Sequence, residues 1–130
     1  MVKSYTSKEQ SEMLIKLGIP IESADMWYQH IGYSITDGKE KPTYFPMIIR
    51  DWKLDDDIPA WSLAALRACL PSAISIDGIL YVFESHNTFD NSWVYEYKFE
   101  DISAPLYSKS SNEIDAAVDM IVQLKENKMI

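Results

Sequence analysis

A chain of 130 residues, 47% of them apolar and 12% aromatic, is long enough for one hydrophobic core and short for two, and its composition excludes a disordered protein. Twelve basic against 20 acidic side chains leave a net charge of −8, which repels phosphate backbones and anionic lipid and so disfavours direct binding of nucleic acid. The single cysteine, Cys69, excludes an intrachain disulfide and a thiolate metal cluster, and no apolar run approaches the roughly 20 residues of a membrane span.

The opening stretch, Met1 to Gln10, is polar and reads as no signal peptide, so the expected setting is the cytoplasm without a membrane partner. Thr6 followed by Glu9, or Ser7 followed by Gln10, has the spacing of a capping box and predicts a helix to about Leu17. Met13, Leu14 and Leu17 form its apolar stripe, Gly18 ends it, and Pro20 bars continuation. Glu22 to Asp25 adds a single helical turn. From Met26 to Ile35, Trp27, Tyr28, Ile31, Tyr33 and Ile35 alternate irregularly with polar residues, as in a distorted strand. Asp37-Gly38 then marks a turn that Lys39-Glu40-Lys41-Pro42 extends into a longer loop, and the return strand runs from Thr43 to Ile49. Pro46 in its middle assigns that strand to an edge or a bulge. Arg50 to Asp57 reads as a connecting loop.

The strongest local signature is Ile58 to Pro71. Ser62 is placed to cap a helix, Trp61 to pack on Leu66 as a hydrophobic staple, and Leu63, Leu66 and Leu70 share one face beside Ala64, Ala65 and Ala68. Cys69 falls in this helix and reads as a small packed apolar group. Beyond Pro71, Ile74-Ser75-Ile76 and Ile79 to Phe83 flank Asp77-Gly78, the pair that a two-residue type I′ turn needs. A turn through His86 to Asn91 leads to a strand from Ser92 to Phe99, in which Trp93, Tyr95, Tyr97 and Phe99 share a face. Residues 100–109, with Pro105, read as a loop; a capping box from Ser110 to Glu113 then opens a last helix that carries Ile114, Ala117, Val118, Ile121 and Leu124 at helical spacing. The order is helix, two strands, helix, three strands, helix. It defines one α+β domain over residues 1–130, with a largely antiparallel sheet of about five strands and helices packed on one face.

Chemistry is harder to find. His30 and His86 belong to no His-x-x-x-His or Glu-x-x-His pair, and the chain has no nucleophile elbow, no phosphate-cradling loop and only four glycines, so no cofactor is implied. Glu84, His86 and Asp90 sit close together in one hairpin with the makings of a weak cation site, but a polar turn that solvates the hairpin is the better account of them. Asp55-Asp56-Asp57 lacks the alternation that aims successive carboxylates at one ion, and reads as a solvated loop ahead of a helix. The aromatic face has two readings. If the helices cover the other side, Trp93, Tyr95 and Tyr97 with their cross-strand neighbours Tyr81 and Phe83 form an exposed docking platform. Otherwise these rings are the core, which the small Val94 on the opposite side of the strand favours.

Four segments, Tyr5-Thr6-Ser7-Lys8-Glu9-Gln10, Leu17-Gly18-Ile19-Pro20 with Ala24-Asp25-Met26, Ile58-Pro59-Ala60-Trp61-Ser62-Leu63 and Asp115-Ala116-Ala117-Val118-Asp119-Met120, resemble a family of small uncharacterised proteins encoded by gut bacteria, their prophages and mobile elements. The likeness spans almost the whole chain. It implies a cytoplasmic accessory protein of mobile-element origin with Trp61-Ser62-Leu63 as a structural hallmark, and it brings no catalytic residues. The expected function is a non-enzymatic interaction module with a protein partner. Two other classes stay open: a small hydrolase or ligand-binding enzyme using carboxylates with His86, and an acidic mimic of nucleic acid.

Overall fold

A computed structural model describes residues 4–48 and 56–130. The expected connecting loop after the second strand, Asp55 of the aspartate run included, lies outside the described residues up to position 55.

The first helix, α1 (Lys8–Lys16), takes the second of the two possible capping boxes. Ser7 Oγ accepts from the Gln10 amide at 3.1 Å and Gln10 Oε1 accepts from the Ser7 amide at 3.0 Å. Gly18, at φ 92°, closes the other end: its amide donates to Ile15 and that of Ile19 to Leu14, the paired bonds of a Schellman motif. A 3₁₀ turn (Ile21–Ser23) follows, as the Glu22 region suggests.

Strand β1 (Met26–Thr36) pairs antiparallel with β2 (Lys39–Ile48) on one side and with the short β3 (Ile58–Ala60) on the other. Here the expected long loop gives way. Asp37 (φ 52°) and Gly38 (φ 73°) make a two-residue turn, so pairing resumes at once and Lys39 to Pro42 are strand. Pro42 and Pro46 are tolerated because β2 is an edge strand, where an absent N–H costs no ladder bond.

Helix α2 (Leu63–Ala68) begins as the sequence indicates, with Ser62 Oγ accepting from the Ala65 amide at 3.2 Å and with Trp61 and Leu66 wholly buried. A second sheet then forms in sequence order from β4 (Ala73–Ile76), β5 (Ile79–Asn87), β6 (Trp93–Phe99) and β7 (Ile102–Ser110). The Asp77-Gly78 turn has both φ angles positive, 52° and 82°. The last helix, α3 (Glu113–Glu126), starts two residues later than its expected cap: Asn112 Oδ1 accepts from the Asp115 amide, and Ser110 Oγ instead receives the Asn112 amide. The chain is thus α+β, and among the described residues its strands number seven, in two antiparallel sheets of three and four. The additions are β3 and β7. A three-residue strand has no readable periodicity, and Pro105 disguises β7, which is an edge strand.

Helix α3 lies on the four-stranded sheet with α2 beside it. Ile114, Ala117, Val118, Ile121 and Leu124 from α3 join Leu66, Tyr81, Tyr95, Tyr97 and Leu106 in one buried cluster. The N-terminal segment, the start of β1 and the residues that lead into α2 meet beside it. The Thr6 amide donates to the Trp61 carbonyl, Thr6 Oγ1 accepts from the Trp61 amide, and Tyr28 Oη donates to the Thr6 carbonyl. Asp25 accepts from the Ser62 amide at 2.7 Å and from its hydroxyl, and Gln10 Nε2 donates to Asp115 Oδ1 at 2.8 Å.

Candidate functional site: an open hairpin arm

The aromatic strand faces inward. Tyr95 and Tyr97 are 0% exposed, Tyr81 is buried, and Phe83 and Trp93 pack against the core. Phe83 meets Tyr95 edge-on at 5.3 Å and Tyr97 at 5.4 Å. The hydroxyls end in defined bonds, Tyr95 Oη to Glu113 Oε2 at 2.7 Å and Tyr97 Oη to the Pro71 carbonyl at 2.8 Å. Burial, then the hydrogen bond and charge of Glu113, pushes the Tyr95 hydroxyl far above the usual phenol range, and burial pushes that of Tyr97 up to about 12. Arg67 completes the cluster, donating to Glu113 Oε2 at 2.9 Å and lying over the Phe83 and Tyr95 rings. These contacts tie α2 and α3 to the sheet. In this fold the five rings form a core, and the exposed docking platform expected as one reading of them does not exist on that face, because α2 and α3 occupy it.

The hairpin cluster also separates. Glu84 lies 4.0 Å from Lys98, whereas Asp90 pairs with Lys109 at 3.2 Å. The Thr88 hydroxyl, and then Lys109, hold the Asp90 carboxyl at about 2. His86 is exposed opposite Val94 on the outer side of the sheet. Among the described residues, no three His, Cys, Asp or Glu side chains are grouped so as to hold a metal ion.

The feature that stands open is the hairpin of β1 and β2. Only Met26, Trp27 and Tyr28 of β1 pair with β3, so from Gln29 to the tip the described chain is a two-stranded arm, about 25 Å long at roughly 3.4 Å per residue. A bulge between His30 and Gly32 inserts Ile31 and resets the alternation of side chains. His30, Tyr33 and Ile35 consequently share a face with their partners Tyr44, Pro42 and Glu40. The rings touch along it, His30 to Tyr33 at 4.9 Å and His30 to Tyr44 at 5.5 Å, and the Lys8 ammonium sits 4.9 Å above Tyr44 at the base. His30 Nδ1 lies 3.9 Å from Asp56 Oδ2. Outward from there the face is bare: Tyr33 is 64% and Ile35 80% exposed. The reverse face carries Gln29, Ser34, Thr36, Lys39, Lys41 and Thr43 with Phe45, and the exposed Ile31 sits at the bulge itself.

This stripe was legible only through the register. Reading Asp37-Gly38 as the whole turn pairs Ile35 with Glu40 and Tyr33 with Pro42, and the bulge at Ile31 then brings His30 opposite Tyr44, whereas the assumed longer loop conceals those pairs. Comparison with protein-family models, with curated proteins and with solved structures finds no match to this chain. No helix among the described residues is long and apolar enough to cross a membrane.

Proposed function

We propose that this protein is a non-enzymatic interaction module that docks a partner protein on the apolar face of the β1–β2 arm. The observation that carries the reading is the exposure of Tyr33 and Ile35 on a two-stranded ribbon, an element of marginal stability by itself whose apolar side chains face water. Strand addition at the arm's edge is a poor alternative. Pro42 and Pro46 are four residues apart and point their nitrogens the same way, and the ladder to β1 runs past both, so the outer edge is the one that lacks these two donors. A second copy of the chain is disfavoured by the net charge of −8 on each molecule, which favours a partner with a basic surface around an apolar patch. The resemblance to proteins of gut bacteria and their mobile elements supports placing this role in the cytoplasm, as an accessory factor.

A photo-crosslinking residue at position 35 tests it in cells that contain the natural partner. The expected result is one discrete heteromeric adduct that is missing when the probe is at Glu126 and is lost on Tyr33→Ser. Adducts of equal yield from both positions, or an adduct with a second copy of the chain, would overturn the reading.

A further inference from the structure

A cavity of about 430 Å³ opens where the C-terminal ends of the three helices meet, within the range of small-molecule sites, roughly 300–1,000 Å³. We infer that it binds a small monocarboxylate with an apolar tail, held by the Lys125 ammonium. The walls are Ile19, Pro20, Ala68, Cys69 and Ile130, which give an apolar bed. Ser23 also lines it, but its hydroxyl already donates to the Pro20 carbonyl and accepts from Trp61 Nε1. Lys125 is therefore the polar group with capacity to spare. Its Nζ lies 3.8 Å from the position that a Cβ on Gly18 would take, so the side chain rests across that glycine and the charge has a defined place at the cavity.

Nothing among the described residues neutralises that charge. Lys125 forms no ion pair there, although the chain carries 20 acidic side chains. Helix carbonyl ends would ordinarily help, yet two carbonyls of each helix accept from their own chain, from Gly18 and Ile19 in α1, from Cys69 and Leu70 in α2 and from Lys128 and Met129 in α3, and the Lys125 ammonium donates to no helix carbonyl among the described residues. One cation among apolar walls selects a single negative charge: the second charge of a phosphate monoester would face an acidic protein unpaired. The inference is independent of the hairpin arm.

Titration calorimetry with decanoate, decanol and decylamine on the full chain tests it. Decanoate should bind with one saturable site, at least tenfold tighter than decanol, and decylamine should not bind. Lys125→Met keeps the packed stem and should weaken decanoate at least tenfold without altering decanol. Ala68→Phe, at an exposed rim position, should abolish both. Cys69 lines the same cavity, so bound decanoate should slow its alkylation by iodoacetamide. Absence of decanoate binding, binding unchanged in both variants of confirmed native circular dichroism, or decylamine binding as well as decanoate would overturn the proposal. Should Lys125→Met fail to fold, Lys125→Gln and the Cys69 alkylation rate decide the same question.

Discussion

One side chain, Thr6, ties the N-terminal segment to the rest of the molecule. It is 0% exposed, and its Oγ1 accepts from the Trp61 amide at 3.1 Å and pairs with Ser11 Oγ at 2.8 Å. Thr6→Val conserves the volume but strands a buried amide, so urea unfolding should show a loss of about 1–3 kcal/mol. Tyr95→Phe should cost about 1–2 kcal/mol by removing the donor to Glu113, which keeps Arg67. The reverse sign is expected at Lys128, which occupies the left-handed position of the α3 Schellman motif at φ 58°. An L-residue pays for that conformation and glycine does not, so Lys128→Gly should raise stability by up to about 1 kcal/mol.

The elements differ in how firmly they are held. Strand β6 is paired on both sides and covered by α3, whereas the outer part of the arm has one strand neighbour and no cover among the described residues. Hydrogen exchange should therefore be much faster at Tyr33 to Thr36 than at Val94 to Tyr97. The same contrast separates docking from packing: Tyr33→Ser with Ile35→Ser should change stability by less than about 1 kcal/mol, whereas Tyr97→Ala should cost about 3–5 kcal/mol. Equal losses in a thermal melt would mean that the arm is part of the core.

At the scale of the whole molecule, the buried tyrosines make stability fall at high pH. Burial, with the charges of neighbouring groups, raises Tyr28 to about 12, burial raises Tyr97 to about 12, and Tyr95 is pushed up further. The unfolded chain releases these protons near pH 10 while the native one retains them, so the stabilisation is complete below about pH 10 and declines above it. Each such tyrosine contributes a slope of about 1.4 kcal/mol per pH unit over that interval, so urea midpoints should decrease between about pH 10 and 12 and less steeply in Tyr97→Phe. Signals confined to a few residues were legible before any coordinates: the Ser7 and Ser62 caps, the Gly18 stop and the Asp77-Gly78 turn each depend on φ or on a bond within one turn of chain. The edge strand with Pro105, the three residues of β3 and the true cap at Asn112 were not, because proline is admitted to a strand, and a cap is chosen, according to what lies alongside. By itself, then, the sequence determined the Ser7 and Ser62 caps, the Gly18 stop, the Asp77-Gly78 turn and the α+β class, all set by short-range sterics and hydrogen bonding. Which side of the aromatic strand stays dry, how the bulge at Ile31 sets Tyr33 and Ile35 on one face with His30, and where Lys125 comes to rest were decided by tertiary structure alone, since burial and charge pairing depend on neighbours remote in the chain.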